Sequence, residues 1–130
     1  PAYKRADIFG TTMYRTIWNK YIGSFTYPLP PGYFRMKTRL VQYLYGKKPI
    51  IVVELQAEPW ADKMPEDMPL EMQERLMNVQ KFNENILYEK ETGFQEVYLW
   101  GVEWWYWLKE KHAKPELWEE AKKLFRESQK

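Results

Sequence analysis

A chain of 130 residues suits one modest domain rather than two, and at 45% hydrophobic it can build a core instead of remaining disordered. Twenty Lys and Arg stand against 18 Asp and Glu; the two signs interleave, as in Lys109-Glu110-Lys111, which argues against nucleic-acid binding because that needs a clustered positive excess. Cysteine is absent and histidine occurs once, which removes disulfides, thiolate metal sites and a Cys nucleophile and argues against a zinc centre; no metal or cofactor is expected.

The first residues, Pro1 to Asp7, carry neither an initiator Met nor the apolar core of a signal peptide, and read as a chain already in progress. Residues 6–10 are the first of three short apolar runs with strand character, followed by a link over 11–31. Residues 33–44 place Met36, Leu40, Val41 and Leu44 on one side of a helix that stops at Gly46. The second run, 50–54, is continuously apolar in Ile50, Ile51, Val52 and Val53, as expected of a strand covered on both faces in a parallel sheet.

After a link over 55–69, Leu70, Met72, Leu76, Val79, Phe82 and Ile86 form an amphipathic stripe that ends near Gly93. The third strand covers 97–101, the link 102–114 follows, and a last helix opens at Pro115 with its glutamates early and its lysines late, matching the helix dipole. No apolar run approaches the ~20 residues of a membrane span, so no membrane partner is expected.

The order strand, helix, strand, helix, strand, helix predicts an α/β fold with parallel strands. Helix-to-strand links are short and strand-to-helix links long, the pattern of parallel α/β enzymes whose functional end is the C-terminal end of the strands. The long links and strand ends hold Tyr14, Trp18, Trp60, Trp100, Trp104 and Trp105, part of an 18% aromatic content with seven Trp. Such faces suit surfaces that are both apolar and wet, as sugar rings demand. The Trp104-Trp105-Tyr106-Trp107 run cannot be all core at any single periodicity, so at least one or two of its members must be exposed or bind something.

Glu54 closes the second strand at this end, either as a reactive carboxylate or as a salt bridge at the rim. Lys48-Pro49-Ile50-Ile51-Val52-Val53-Glu54 resembles the seventh strand of the retaining (β/α)8-barrel glycoside hydrolases, the cellulase- and mannanase-like clan. Val97-Tyr98-Leu99-Trp100-Gly101 resembles the eighth strand, and Asp7-Ile8-Phe9-Gly10-Thr11-Thr12-Met13-Tyr14 the sixth, with Thr12 where a histidine is usual. The resemblance implies C-terminal βα units of a TIM (β/α)8 barrel acting on a β-linked oligo- or polysaccharide.

In that likeness Glu54 is the nucleophile and Tyr14 its hydrogen-bond partner, Trp100 floors a sugar subsite, and the acid/base belongs to a fourth strand with no match here. Trp18, Glu58, Trp60, Glu103 and Trp105 are further candidates for binding substrate; Glu58 and Glu103 could instead form rim ion pairs with Arg15, Lys63 or Lys109, and Tyr14 could be a core tyrosine. Three βα units leave two parallel edges unpaired, so self-association or a second chain completing the barrel is expected. The alternative function is a non-catalytic carbohydrate-binding or assembly module that keeps the aromatic face.

Overall fold

A computed structural model describes residues 2–129. In chain order it runs through α1 (Ala2–Arg5), β1 (Phe9–Met13), β2 (Thr16–Asn19), β3 (Gly23–Thr26), α2 (Pro31–Tyr45) and β4 (Ile50–Gln56), then α3 (Leu70–Leu76), α4 (Val79–Thr92), β5 (Val97–Trp100), α5 (Val102–His112) and α6 (Glu116–Ser128). Strands β1, β4 and β5 form one sheet in the order β1-β4-β5, and both pairings are parallel. The expected mixed α/β fold with three mutually parallel strands is thus present. No helix is long and apolar enough to cross a membrane among the described residues.

Four expectations need correction. The first strand is 9–13 rather than 6–10: Phe9 pairs with Ile50 and Met13 with Leu55. The preceding residues instead pack as a cap, with Tyr3 donating to the Gly46 carbonyl at 2.8 Å and the Lys48 ammonium donating to the carbonyls of Tyr3 and Ala6 at 2.7 and 2.6 Å. The link over 11–31 contains an antiparallel hairpin, β2-β3, in which Thr16 pairs with Thr26 and Asn19 with Gly23. Its β-branched and aromatic residues were the missed signal, and the Asn19 side chain accepts the Tyr21 N–H in the turn at 2.9 Å.

The link over 102–114 is largely α5, entered directly from β5 through Gly101. Winding the aromatic run on a helix sorts it by face: Trp104, Trp105 and Leu108 are buried while Tyr106 is exposed. The long stripe from Leu70 to Ile86 is two helices. Met77 is extended, and Asn78 caps α4 by accepting the Lys81 N–H at 3.0 Å.

One face of the sheet is covered by helices. Val52, Leu55 and Met13 are buried there with Phe82 and Ile86 of α4, Trp105 and Leu108 of α5, and Leu117 and Ala121 of α6. The opposite face is open: Gly10, Thr12, Val53, Tyr98 and Trp100 are exposed. The outer edges of β1 and β5 pair with no other strand among the described residues.

Glu89 of α4 is buried, and its Oε1 has no hydrogen-bond partner. Burial raises its carboxyl above the usual carboxylate range, with Thr92 and Lys90 pulling the other way. The folded chain therefore holds this proton to higher pH than the unfolded chain does, and stability falls as pH rises from the unfolded value through the folded one. Glu89→Gln should flatten that dependence and add about 1 kcal/mol at pH 7, read by urea unfolding at pH 5 and 7.

Candidate functional site

The site begins with an irregularity in β4. Against β1, Thr11 pairs with Val52 but Thr12 pairs with Glu54, so Val53 is an extra residue. Against β5, Val52 pairs with Val97 and Leu55 with Leu99, three steps against two. In a regular strand Glu54 would follow Val52 onto the helix-covered face. The bulge turns it to the open face beside Val53, which is 39% exposed, and returns Leu55 to the core. Gly10 makes the room: a Cβ there would lie 2.7 Å from Val53 Cγ1.

Tyr14, directly after β1, donates its hydroxyl to Glu54 Oε2 at 3.1 Å. Burial, then the hydrogen bond and charge of Glu54, then the charge of Glu58 hold this phenol above its ordinary range. The indole of Trp60 packs on the Tyr14 ring, with centroids 5.2 Å apart, and remains 45% exposed. One residue-cluster therefore contains Tyr14, Glu54, Trp60 and, through its charge, Glu58.

Gln56 ties the hairpin to this cluster. It is buried, and its amide accepts the Thr16 N–H at 2.9 Å and donates to the Thr16 carbonyl at 3.0 Å. Its own carbonyl accepts from Asn85 Nδ2 at 3.0 Å.

Ala57 is clamped from both sides: its N–H donates to the Trp100 carbonyl at 2.9 Å and its carbonyl accepts Trp105 Nε1 at 2.7 Å. Gly101, at φ +140°, permits this approach, since a Cβ there would lie 2.9 Å from the Ala57 carbonyl carbon and oxygen. Gly101→Ala should therefore cost about 2 kcal/mol or more in chemical denaturation, combining backbone strain with a clash against main chain.

Glu58 follows this clamp, with buried Pro59 behind it. Its Oε1 accepts Trp100 Nε1 at 2.9 Å, while the Trp100 ring stays 48% exposed at the end of β5. Glu58, Trp100, Glu103, Glu66, Met64 and Trp107 are among the residues lining a cleft of about 570 Å³ whose walls include no Lys, Arg or His. Burial raises the Glu58 carboxyl above the usual range, the charges of Glu103 and Glu66 add to this, and the Trp100 hydrogen bond opposes it.

The structure thus brings together Tyr14, Glu54, Glu58, Trp60 and Trp100, and places Glu103, exposed in the first turn of α5, on the cleft wall. Trp18 lies half-buried in β2 opposite Ser24, and no hydrogen bond or ring contact joins it to the cluster among the described residues. Trp105 is corrected. It is 1% exposed, packs edge-on against Phe82 at 5.5 Å and spends its N–H on Ala57, so it supports the site from the core and offers no face to a ligand. Glu66 and Trp107 were missed, because their approach to Glu58 depends on how the 3-10 turn at Pro65–Asp67 and α5 converge.

A second groove, about 490 Å³, opens between Arg35, Arg39, Lys48 and Glu96 at the other end of the strands. Arg35 and Lys48 are committed there to the backbone carbonyls of Glu91, Tyr3 and Ala6, a structural use. No group of three or more His, Cys, Asp or Glu is placed to hold a metal ion among the described residues. Comparisons with protein-family models, curated proteins and solved structures found no match to the chain.

Proposed function

We propose that this chain carries part of the active site of a retaining glycoside hydrolase acting on a β-linked oligo- or polysaccharide, and that its three βα units are the C-terminal part of a (β/α)8 barrel. The observation that carries the reading is the bulge in β4. It spends a ladder position to turn Glu54 out of the core, onto the open sheet face, where the Tyr14 hydroxyl meets it at 3.1 Å. Bulges that re-aim one side chain are enriched beside active sites.

In this reading the Glu54 carboxylate attacks the anomeric carbon and forms a covalent glycosyl-enzyme, which water then opens. Tyr14 donates to the attacking group and fixes its orientation. Trp100 and Trp60, both about half exposed, supply faces on which sugar C–H groups pack. Glu103 supplies a carboxylate for sugar hydroxyls at the cleft wall. A retaining reaction also needs an acid/base about 5–5.5 Å from the nucleophile.

A partner or further copies of the chain would complete the sheet. Support comes from the unpaired edges of β1 and β5 and from the exposed apolar residues of α2: Met36, Leu40, Tyr43 and Leu44. Light scattering of the isolated chain should give a mass above that of the monomer; a stable monomer with cooperative unfolding would contradict this.

The second reading, a carbohydrate-binding module without chemistry, draws on the same exposed Trp60 and Trp100. Tyr14→Phe separates the two. It keeps the ring on Trp60 but removes the hydrogen bond to Glu54, so a hydrolase should lose about 10-fold or more in turnover while oligosaccharide affinity stays. A binding module should show neither turnover nor an affinity change.

A further inference from the structure

Tyr14 and Arg15 are the whole link between β1 and β2. With Thr16 they form three consecutive residues, each tied to a different part of the fold. The Tyr14 hydroxyl donates to Glu54 Oε2 at 3.1 Å. The Thr16 N–H and carbonyl are gripped by the buried Gln56 amide at 2.9 and 3.0 Å. Between them the Arg15 guanidinium reaches α4. Its carbon lies 4.1 Å from the centroid of the Tyr88 ring, and Nη1 donates to Asn85 Oδ1 at 3.3 Å and to the Glu84 carbonyl at 3.4 Å.

Asn85 joins two of these ties. It is buried on α4, and while its oxygen accepts from Arg15 its Nδ2 donates to the Gln56 main-chain carbonyl at 3.0 Å. A guanidinium only donates and a carbonyl only accepts, so one orientation of the amide serves both. Gln56 stands two residues beyond Glu54 on β4. Asn85 therefore bridges the strand that carries Glu54 and the link that carries Tyr14. The strand ladder cannot do this, because Tyr14 lies past its last pair, Met13 with Leu55. The bridge also has a cost: Arg15 Nε is buried without a hydrogen-bond partner among the described residues, which an apolar residue at this position would avoid.

We propose that Asn85 is a positioning residue for the Tyr14–Glu54 pair: through Gln56 and Arg15 it holds the Tyr14 hydroxyl within hydrogen-bond distance of the Glu54 carboxylate. Buried hydrogen-bonded networks rigidify the segments they join, and a donor fixed in advance loses no order when the carboxylate reacts. The inference rests on the glycosidase reading for its effect on turnover, and on geometry alone for the placement of the pair. The competing role is stability only, with Asn85 anchoring α4 to the sheet and Tyr14 finding Glu54 unaided.

Two measurements separate these roles. The first uses this chain with tyrosine carrying the NMR-active carbon isotope at Cζ, whose resonance reports the hydrogen bond of its hydroxyl. The Tyr14 signal is assigned by its disappearance in Tyr14→Phe. Asn85→Ala should move it towards the position it takes in Glu54→Ala, where the acceptor is gone. Ile86→Val, the next residue on α4 and also buried, should leave it in place while lowering stability. A Tyr14 signal unmoved in folded Asn85→Ala overturns the proposal, and so does an equal displacement in Ile86→Val, which traces the effect to general loosening. If Asn85→Ala does not fold, Arg15→Met breaks the same bridge from its other end, and an unmoved signal there overturns the proposal.

The second measurement is a double-mutant cycle in the complete enzyme. Asn85→Ala should lower kcat about 10-fold and change KM less than about 3-fold. In a Tyr14→Phe background the same substitution should cost less than about 2-fold, because the hydrogen bond it positions is already absent. Equal losses in the two backgrounds overturn the proposal. A complete enzyme that cleaves no glycoside ends the glycosidase reading instead, and the Tyr14 resonance then decides the placement by itself.

Discussion

Glu54→Gln in the complete enzyme is expected to leave folding and oligosaccharide affinity near wild type and to lower turnover on the order of 1000-fold or more. The amide is nearly isosteric, and its oxygen still accepts from the Tyr14 hydroxyl, which now lies 3.1 Å from the carboxylate. What is lost is the negative charge that attacks carbon and the ester it forms. Azide should restore part of the activity to Glu54→Ala, because a small anion can enter where the side chain was. Circular dichroism and calorimetric binding check the first half of this expectation, and steady-state kinetics the second. A variant that turns over normally would return Glu54 to the alternative of a rim carboxylate.

Trp105→Ala is expected to cost about 3–5 kcal/mol in urea unfolding. The ring is 1% exposed, fills space against Phe82 and is the hydrogen-bond donor to the Ala57 carbonyl, so truncation leaves both a cavity and a buried unpaired acceptor. Trp105→Phe keeps most of the volume and should cost about 1–3 kcal/mol, chiefly for the lost N–H. Because Ala57 precedes Glu58, either change should also loosen the Glu58–Trp100 hydrogen bond, visible as a shift in tryptophan emission. A surface role for Trp105 would instead give a stability change within about 0.5 kcal/mol.

The parallel sheet was legible because its signal is local. A continuous apolar run such as Ile50 to Val53, flanked by amphipathic stripes of helical period, has few other uses in a small domain. The hydrogen bond between Tyr14 and Glu54, 40 residues apart, was also expected, through the resemblance of two strand ends to a known arrangement. The bulge at Val53 was not legible. It depends on the partner strands counting differently from β4, and only the side-chain gap at Gly10 hints at it.

The aromatic run at 104–107 misled for a related reason. Aromatic residues lean toward strands and loops, but here tertiary packing against α4 and α6 overrode that preference, and a helix buried Trp104 and Trp105 while exposing Tyr106. The hairpin at 16–26 was hidden by its shortness, four residues per strand. Its docking rests on Gln56, whose partner is backbone and carries no sequence signature. The negative cleft around Glu58 required three segments to converge, which composition cannot reveal.

The most direct test of Glu54 as nucleophile is trapping. A 2-fluoro glycoside with a good leaving group slows both steps at the anomeric carbon, and its leaving group keeps formation of the intermediate faster than hydrolysis, so the glycosyl-enzyme accumulates. The complete enzyme, incubated with such inactivators and digested, should yield one peptide heavier by the fluorosugar, with the label on Glu54. Label on Glu58 with Glu54 unmodified, or steady consumption of substrate without any labelled peptide, would contradict the assignment.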